Sequence, residues 1–167
     1  MADKTTGSNP YRGFKFAYTT HGGPPAMDSV ALVSDIYYPG QVLRISGTTG
    51  SAAVAAAAGT SVAYVASAYL TAAQAVVGKH PVYRLDDCNV FKAQMGASST
   101  PQTVVGDTVD LCVGSTENHY LQGTSSTKVF SIIGFPGDEA VSAATNHNYY
   151  VKAARSVWAT TKSDSSK

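Results

Sequence analysis

The sequence predicts a single all-β domain. Three observations carry the prediction. Apolar residues recur with period two, the apolar runs are short and closed by Gly, Pro and Asx-rich turns, and the runs are rich in Val, Ile, Tyr and Phe, which suit a pleated surface. At 167 residues the chain fits one domain and can bury roughly two-thirds of the surface its unfolded form exposes. The reading divides it into an N-terminal arm (1–30), a β domain (31–159) and a polar tail (160–167), with at most one short helix.

The segment that organises the rest is 82–95. Tyr83, Leu85, Phe91, Ala93 and Met95 share one face, and Arg84, Asp86, Lys92 and Gln94 share the other. Cys88 and Val90 are apolar exceptions on the second face. Asp87 and Asn89 interrupt the first, and short carboxylates at 86–87 suit a turn between two strand pieces.

Taken in order, residues 1–8 are small and polar, which predicts a mobile arm. Tyr11, Phe14 and Phe16 then place aromatics beside Pro10 and Gly13, an arm anchored either on its own core or on a neighbour. His21-Gly22-Gly23-Pro24-Pro25 is a loop. Residues 30–38 read as a strand apolar on both sides, closed by Pro39-Gly40 and followed by a strand over 41–46. The Ala-rich tract 51–77 matches two patterns. Val62, Val65, Ala66, Tyr69, Leu70 and Ala73 fit helical spacing, whereas Gly59, Thr60, Tyr64 and the β-branched residues favour strands. The balance predicts strands at 52–57 and 61–68 with a short helical turn at 71–77. Beyond the central segment, 104–113 reads as strand, turn, strand and 114–127 as a long polar connection. Residues 129–135 read as a strand covered on both faces, and 149–158 as the last strand.

Composition narrows the function. Charged residues make up 14%, well under the roughly 25% usual in soluble domains, and so charge-poor a surface tends to be covered. Lys and Arg number 12 against 11 Asp and Glu, for a net charge of +1, which gives no field of one sign to recruit nucleic acid or an acidic membrane. Cys88 and Cys112 are too few for a disulfide framework and read as free thiols. The N-terminus lacks an apolar leader stretch.

Catalytic signatures such as GxSxG, Walker A, GxGxxG after a strand and HExxH do not occur. Cys112, Glu117 and His119 are the nearest approach to a metal set and lack a fourth ligand and paired spacing. Acid pairs for hydrolysis could be drawn from Asp86, Asp87, Asp107 and Asp110, but Asp86-Asp87 and Gly106-Asp107 sit where turns are expected and turn chemistry accounts for them. His147, flanked by Asn146 and Asn148, reads as part of a hydrogen-bonded loop ahead of the last strand, with general base or pH switch as the sharper alternative. The expectation is no enzyme, no cofactor and no metal.

Several segments together resemble a known family. Asn9-Pro10-Tyr11-Arg12-Gly13-Phe14, Tyr38-Pro39-Gly40-Gln41-Val42-Leu43, the Ala-rich 52–58, Asp87-Cys88-Asn89-Val90-Phe91-Lys92-Ala93-Gln94, Val105-Gly106-Asp107 and the strand 129–135 occur in this order. The order is similar to that of tailed-bacteriophage head decoration, or cement, proteins and covers residues 9–159. Arg12 and the Ala-rich middle depart from the usual form. The resemblance implies a β-barrel or tulip-like sandwich that binds the outside of the assembled capsid, commonly as a trimer, and locks neighbouring capsomers together. Its partner would be the major capsid protein, contacted through Tyr11, Arg12, Phe14 and Phe16, with no direct contact to nucleic acid or membrane. The protein would be made in the host cytoplasm and reside on the virion. The alternative is a virion-associated binding module, a head fibre or glycan-binding adhesin, with Tyr120, Tyr149, Tyr150 or Trp158 as an exposed platform.

Overall fold

The computed structural model describes residues 13–46, 50–55, 62–96, 99–113, 119–123, 128–139, 141–143, 146–154, 156 and 158. Eleven strands and two single-turn helices follow one another as β1 (Lys15–Thr19), β2 (Met27–Val30), β3 (Val42–Ile45), β4 (Ala52–Val54), β5 (Val62–Ala66), α1 (Ala72–Ala75), β6 (His80–Arg84), β7 (Asn89–Gln94), α2 (Pro101–Val104), β8 (Thr108–Val113), β9 (His119–Gln122), β10 (Phe130–Gly134) and β11 (Asn148–Ala153). They form a six-stranded sheet, β1-β7-β11-β10-β8-β9, and a five-stranded sheet, β2-β6-β5-β3-β4. Every strand pairing is antiparallel. The all-β prediction holds as two sheets sharing a core. Neither closes into a barrel.

The organising segment 82–95 is the link between the sheets. β6 belongs to the five-stranded sheet and β7 to the six-stranded one, and the chain changes sheet at 85–88. Asp86 makes the corner, its Oδ1 accepting the backbone N–H groups of Cys88 and Asn89, both at 2.9 Å. This is the local turn that Asp side chains favour. Asn89, fully buried, locks it. Its Nδ2 donates to the carbonyls of Ala26 (2.7 Å) and Arg84 (2.8 Å), and its Oδ1 accepts the Ala26 N–H at 3.0 Å. One amide therefore ties the start of β7, the end of β6 and the approach to β2.

The main core lies between the sheets. Leu85, Phe91, Ala93 and Met95 enter it as the period-two pattern predicts, joined by Phe14, Val42, Val62, Val65, Leu111, Leu121, Phe130, Ile132, Tyr149 and Val151, with Tyr83 packed at its margin. A second core covers the other face of the five-stranded sheet: Leu32, Tyr37, Leu43, Ala52, Ala63, Tyr64, Ala66, Ala75 and Val82. That sheet is buried on both sides, and all five residues of β5 are buried. Ala63 and Tyr64 are neighbours in sequence yet join the same core. The register between β3 and β5 slips there, pairing Leu43 with Tyr64 and Arg44 with Val62, so Ala63 is the extra residue of a bulge.

Several expectations change. Residues 30–38 are not a strand beyond β2. They cross the outer face of the five-stranded sheet, bridging to β4 at Leu32–Ala52 and to the segment after β5 at Tyr37–Leu70, which explains a run apolar on both sides. The arm assigned to 1–30 is shorter, because β1 pairs with β7 and β2 with β6. The helical turn near 71–77 is α1, stabilised by a capping box between Thr71 and Gln74. A second turn, α2, begins at Pro101 where 104–105 read as strand, so the structure has two short helices. β9 falls inside the stretch read as a polar connection. β10 alternates, with Phe130 and Ile132 buried and Ile133 exposed, so it is not covered on both faces. β11 ends at Ala153, five residues before Trp158.

Two substitutions test this architecture in urea. Phe91→Ala empties a fully buried ring site and should cost about 3–5 kcal/mol. Asn89→Ala removes the acceptor of the Ala26 N–H and a donor to the Ala26 and Arg84 carbonyls, and should cost about 2–4 kcal/mol, whereas Asp87→Ala at the exposed neighbour should stay within about 0.5 kcal/mol. A loss of only a few tenths at Asn89 would show that the corner does not depend on its amide.

Candidate functional site

Of the residues expected to contact a partner, Phe14 and Phe16 fall among the described residues. Tyr11 and Arg12 lie outside the described residues. Phe14 is only 2% exposed and stacks on Phe130 with ring centroids 4.7 Å apart. Its anchoring is backbone-driven. Gly13 adopts φ +73°, and a Cβ there would stand 2.7 Å from the Gly40 carbonyl oxygen, so only glycine permits the crossing. The Phe14 N–H then donates to Gly40 O at 2.9 Å. The two glycine-bearing segments 13–14 and 39–41 thus meet, and Phe14 is a core residue, not a surface contact. Phe16 is half-buried, stacked on Tyr83 at 5.3 Å and edge-on to Phe91, so its ring is also largely engaged within the domain.

The aromatic platform does not assemble as expected. Tyr149 is fully buried, its hydroxyl 2.7 Å from Ser99 Oγ, and burial raises its pKa. Tyr150 packs edge-on to Tyr18. Trp158, 39% exposed, lies over the Arg84 guanidinium at 5.1 Å. Arg84 in turn holds Asp28 with Nε and Nη2, and that bond, with the charges of Asp28 and Asp86, raises its pKa against the lowering effect of desolvation. This cluster fastens the C-terminal segment to β2 and β6, helped by a bond from Ser156 Oγ to Leu85 O.

The acidic candidates are separately engaged. Asp86 is committed to the corner, and buried Asp110 accepts the Lys128 N–H at 2.6 Å. Asp107 borders a half-open hollow of about 320 Å³ between α2 and β8, lined also by Met95, Ser99, Thr100 and Thr103. Among the described residues that line the hollow it alone is titratable, whereas carboxylate-pair hydrolysis needs two. The described residues form no cluster of three or more His, Cys, Asp or Glu that could hold a metal ion. Cys88 and Cys112 are free and half-buried.

Two histidines are structural. His147 is buried between acceptors: Nδ1 lies 2.8 Å from Glu139 Oε2 and Nε2 3.0 Å from Ser142 O. A carbonyl can only accept, so Nε2 carries a hydrogen, and the proton between Nδ1 and the carboxylate is shared by that pair. Asn148 Nδ2 donates to the other Glu139 oxygen at 2.7 Å, closing the loop ahead of β11. His119 was expected only as part of a weak metal set. Glu117 lies outside the described residues, and His119 Nδ1 accepts the Val42 N–H at 2.9 Å, which bridges the two sheets. The ring is therefore the neutral Nε2–H tautomer, and burial lowers its pKa to about 4.

Among the described residues no helix is long and apolar enough to cross a membrane. Compared with known proteins, the chain matches no family model, no curated sequence and no solved structure.

The His119 bridge gives a signed pH dependence. Its folded pKa of about 4 lies below the ordinary 6.5, so the unfolded chain binds the extra proton first. This contribution to stability is complete above pH 6.5 and is lost as pH falls toward 4, at up to about 1.4 kcal/mol per pH unit. Denaturation midpoints measured between pH 7 and 5 should fall in the wild type and fall less in His119→Asn, which retains an acceptor but cannot titrate. Parallel curves would remove His119 from the account.

Proposed function

We propose that the chain is a bacteriophage head decoration protein that binds the outer surface of the assembled capsid and strengthens contacts between capsomers. The observation that carries the reading is the ordered resemblance over residues 9–159. The geometry adds support of its own. Gly13 and Gly40, from two of the resembling segments, form one close backbone contact, so those segments work as a structural unit. Many of the described acids and histidines serve as turn makers, clasps and core bridges, while Asp107 and His21 are exposed and His80 Nε2 is buried without a partner among the described residues; a site set aside for contact, not chemistry, suits that distribution.

In this reading the protein acts as a trimer on the major capsid protein. Symmetry multiplies a modest interface, and avidity does the holding. Tyr11 and Arg12, which precede β1 in the chain, are the arm residues assigned to the contact, while Phe14 fixes the arm's root to the core. The charge-poor composition and the exposed apolar residues Ile36, Tyr69, Val76 and Val77 are consistent with surface that is covered on a particle. Burial of Tyr149 counts against the platform version of the adhesin alternative.

Purified protein mixed with undecorated heads should bind to a fixed, saturable copy number per shell. Tyr11→Ala/Arg12→Ala should weaken that binding at an unchanged melting temperature. Phe14→Ala should instead lower stability by about 3–5 kcal/mol. Absence of saturation by the wild type would refute the proposal.

A further inference from the structure

The outward face of the six-stranded sheet carries charge that the fold does not use. Phe16, Phe91, Ala93, Tyr149 and Val151 point into the main core, so strand alternation turns Lys15, Lys92 and Lys152 outward. Lys15 stands directly opposite Lys92 on the β1–β7 ladder, Lys92 pairs with Tyr150 on β11, and Lys152 pairs with Ser131 on β10. Like charges placed directly opposite repel.

An ordinary solvated sheet face intersperses both signs, but the strands β1, β7, β11 and β10 contain no Asp or Glu at all. Nor does any of the three lysines make an ion pair among the described residues. Of the carboxylates flanking these strands, Asp86 is spent on two backbone amides and Glu139 on His147 and Asn148, while the exposed Asp87 and Asp138 lie in turns outside the ladders. Beside the ammonium groups, the rings of Tyr18 and Tyr150 meet edge to face at 5.6 Å, and Tyr18 stays 44% exposed. A ring patch beside unpaired cations is a surface composed for contact, since tyrosine is enriched at protein interfaces.

We propose that this face docks on a carboxylate-bearing patch of the capsid protein's outer surface, with Lys15, Lys92 and Lys152 meeting acidic side chains around the Tyr18–Tyr150 pair. The inference rests on the decoration reading and specifies its contact face. Protein is favoured over nucleic acid because three lysines without an arginine release too few counterions to hold a polyphosphate at physiological salt, and the whole chain carries a net charge of only +1.

The test is binding to undecorated heads across a salt series, with the wild type, the triple variant Lys15→Gln/Lys92→Gln/Lys152→Gln, and Lys79→Gln as an exposed control off this face. The triple variant should bind about tenfold or more weakly with a shallower salt dependence, while its melting temperature is unchanged or raised by relief of the Lys15–Lys92 repulsion. Lys79→Gln should bind like the wild type. If the wild type binds and the triple variant matches it, the face is wrong and the decoration reading stands. If the wild type does not bind, both fall. Duplex DNA that displaces the wild type from the heads at matched charge would overturn the choice of a protein partner.

Discussion

The rest of the structure depends on the corner at 85–89, where one continuous segment leaves the five-stranded sheet and starts the six-stranded one. A chain changing sheet must satisfy backbone groups that neither ladder can reach. Asp86 takes two amides, Asn89 bonds the Arg84 carbonyl and both polar groups of Ala26, and Leu85 O and Cys88 O accept from Ser156 Oγ and the Thr20 N–H. Because these bonds sit at the end of the buried Leu85 and Phe91 side chains, the corner fixes how the two inner faces meet. The Phe14 N–H on Gly40 O, just ahead of β3, and His119 on Val42 N then join the two sheets at other points.

The five-stranded sheet explains the composition. Being buried on both faces, it needs small residues where the 31–41 segment crosses it, and Ala52, Ala63, Ala66 and Ala75 occupy that second core around Tyr37. The Tyr37 hydroxyl donates to Val33 O at 3.0 Å and lies 3.3 Å from Ala52 O, and burial with nearby Asp35 pushes its pKa up to about 12. The alanine content is therefore a packing device for close approach of backbone to sheet. The six-stranded sheet is different in kind, with one face in the core and the other carrying lysine, tyrosine and amide side chains.

Much of this was legible in the sequence, and the misses have physical causes. Period two located β6 and β7, apolar density located β10, and the Asp86-Asp87 turn was visible because short carboxylates at a break in alternation have few other uses. Residues 30–38 misled because a covering segment buried against a sheet shows the same apolar density as a strand. β9 was hidden because His119 and Gln122 read as polar, although His119 is buried as a neutral acceptor. Its signal was the Tyr120–Leu121 pair within a Ser- and Thr-rich stretch. Among the contact residues, Phe14 was indistinguishable from a surface aromatic until Gly13 was seen crossing Gly40. The lysine face could not be read at all, since Lys15, Lys92 and Lys152 become neighbours only through the β1-β7-β11 order.

A protein built this way offers partners a two-sheet body in which many titratable groups serve the fold itself. That is the physical case for a structural role on a larger assembly. The measurement that tests it most directly is a reconstruction of the virion from a host producing this chain. The account predicts density for the two-sheet domain on the outside of the shell, repeated around symmetry axes between capsomers, with β1 and β7 turned toward the capsid protein. The same domain found inside the head, confined to the tail, or missing from the particle would contradict it.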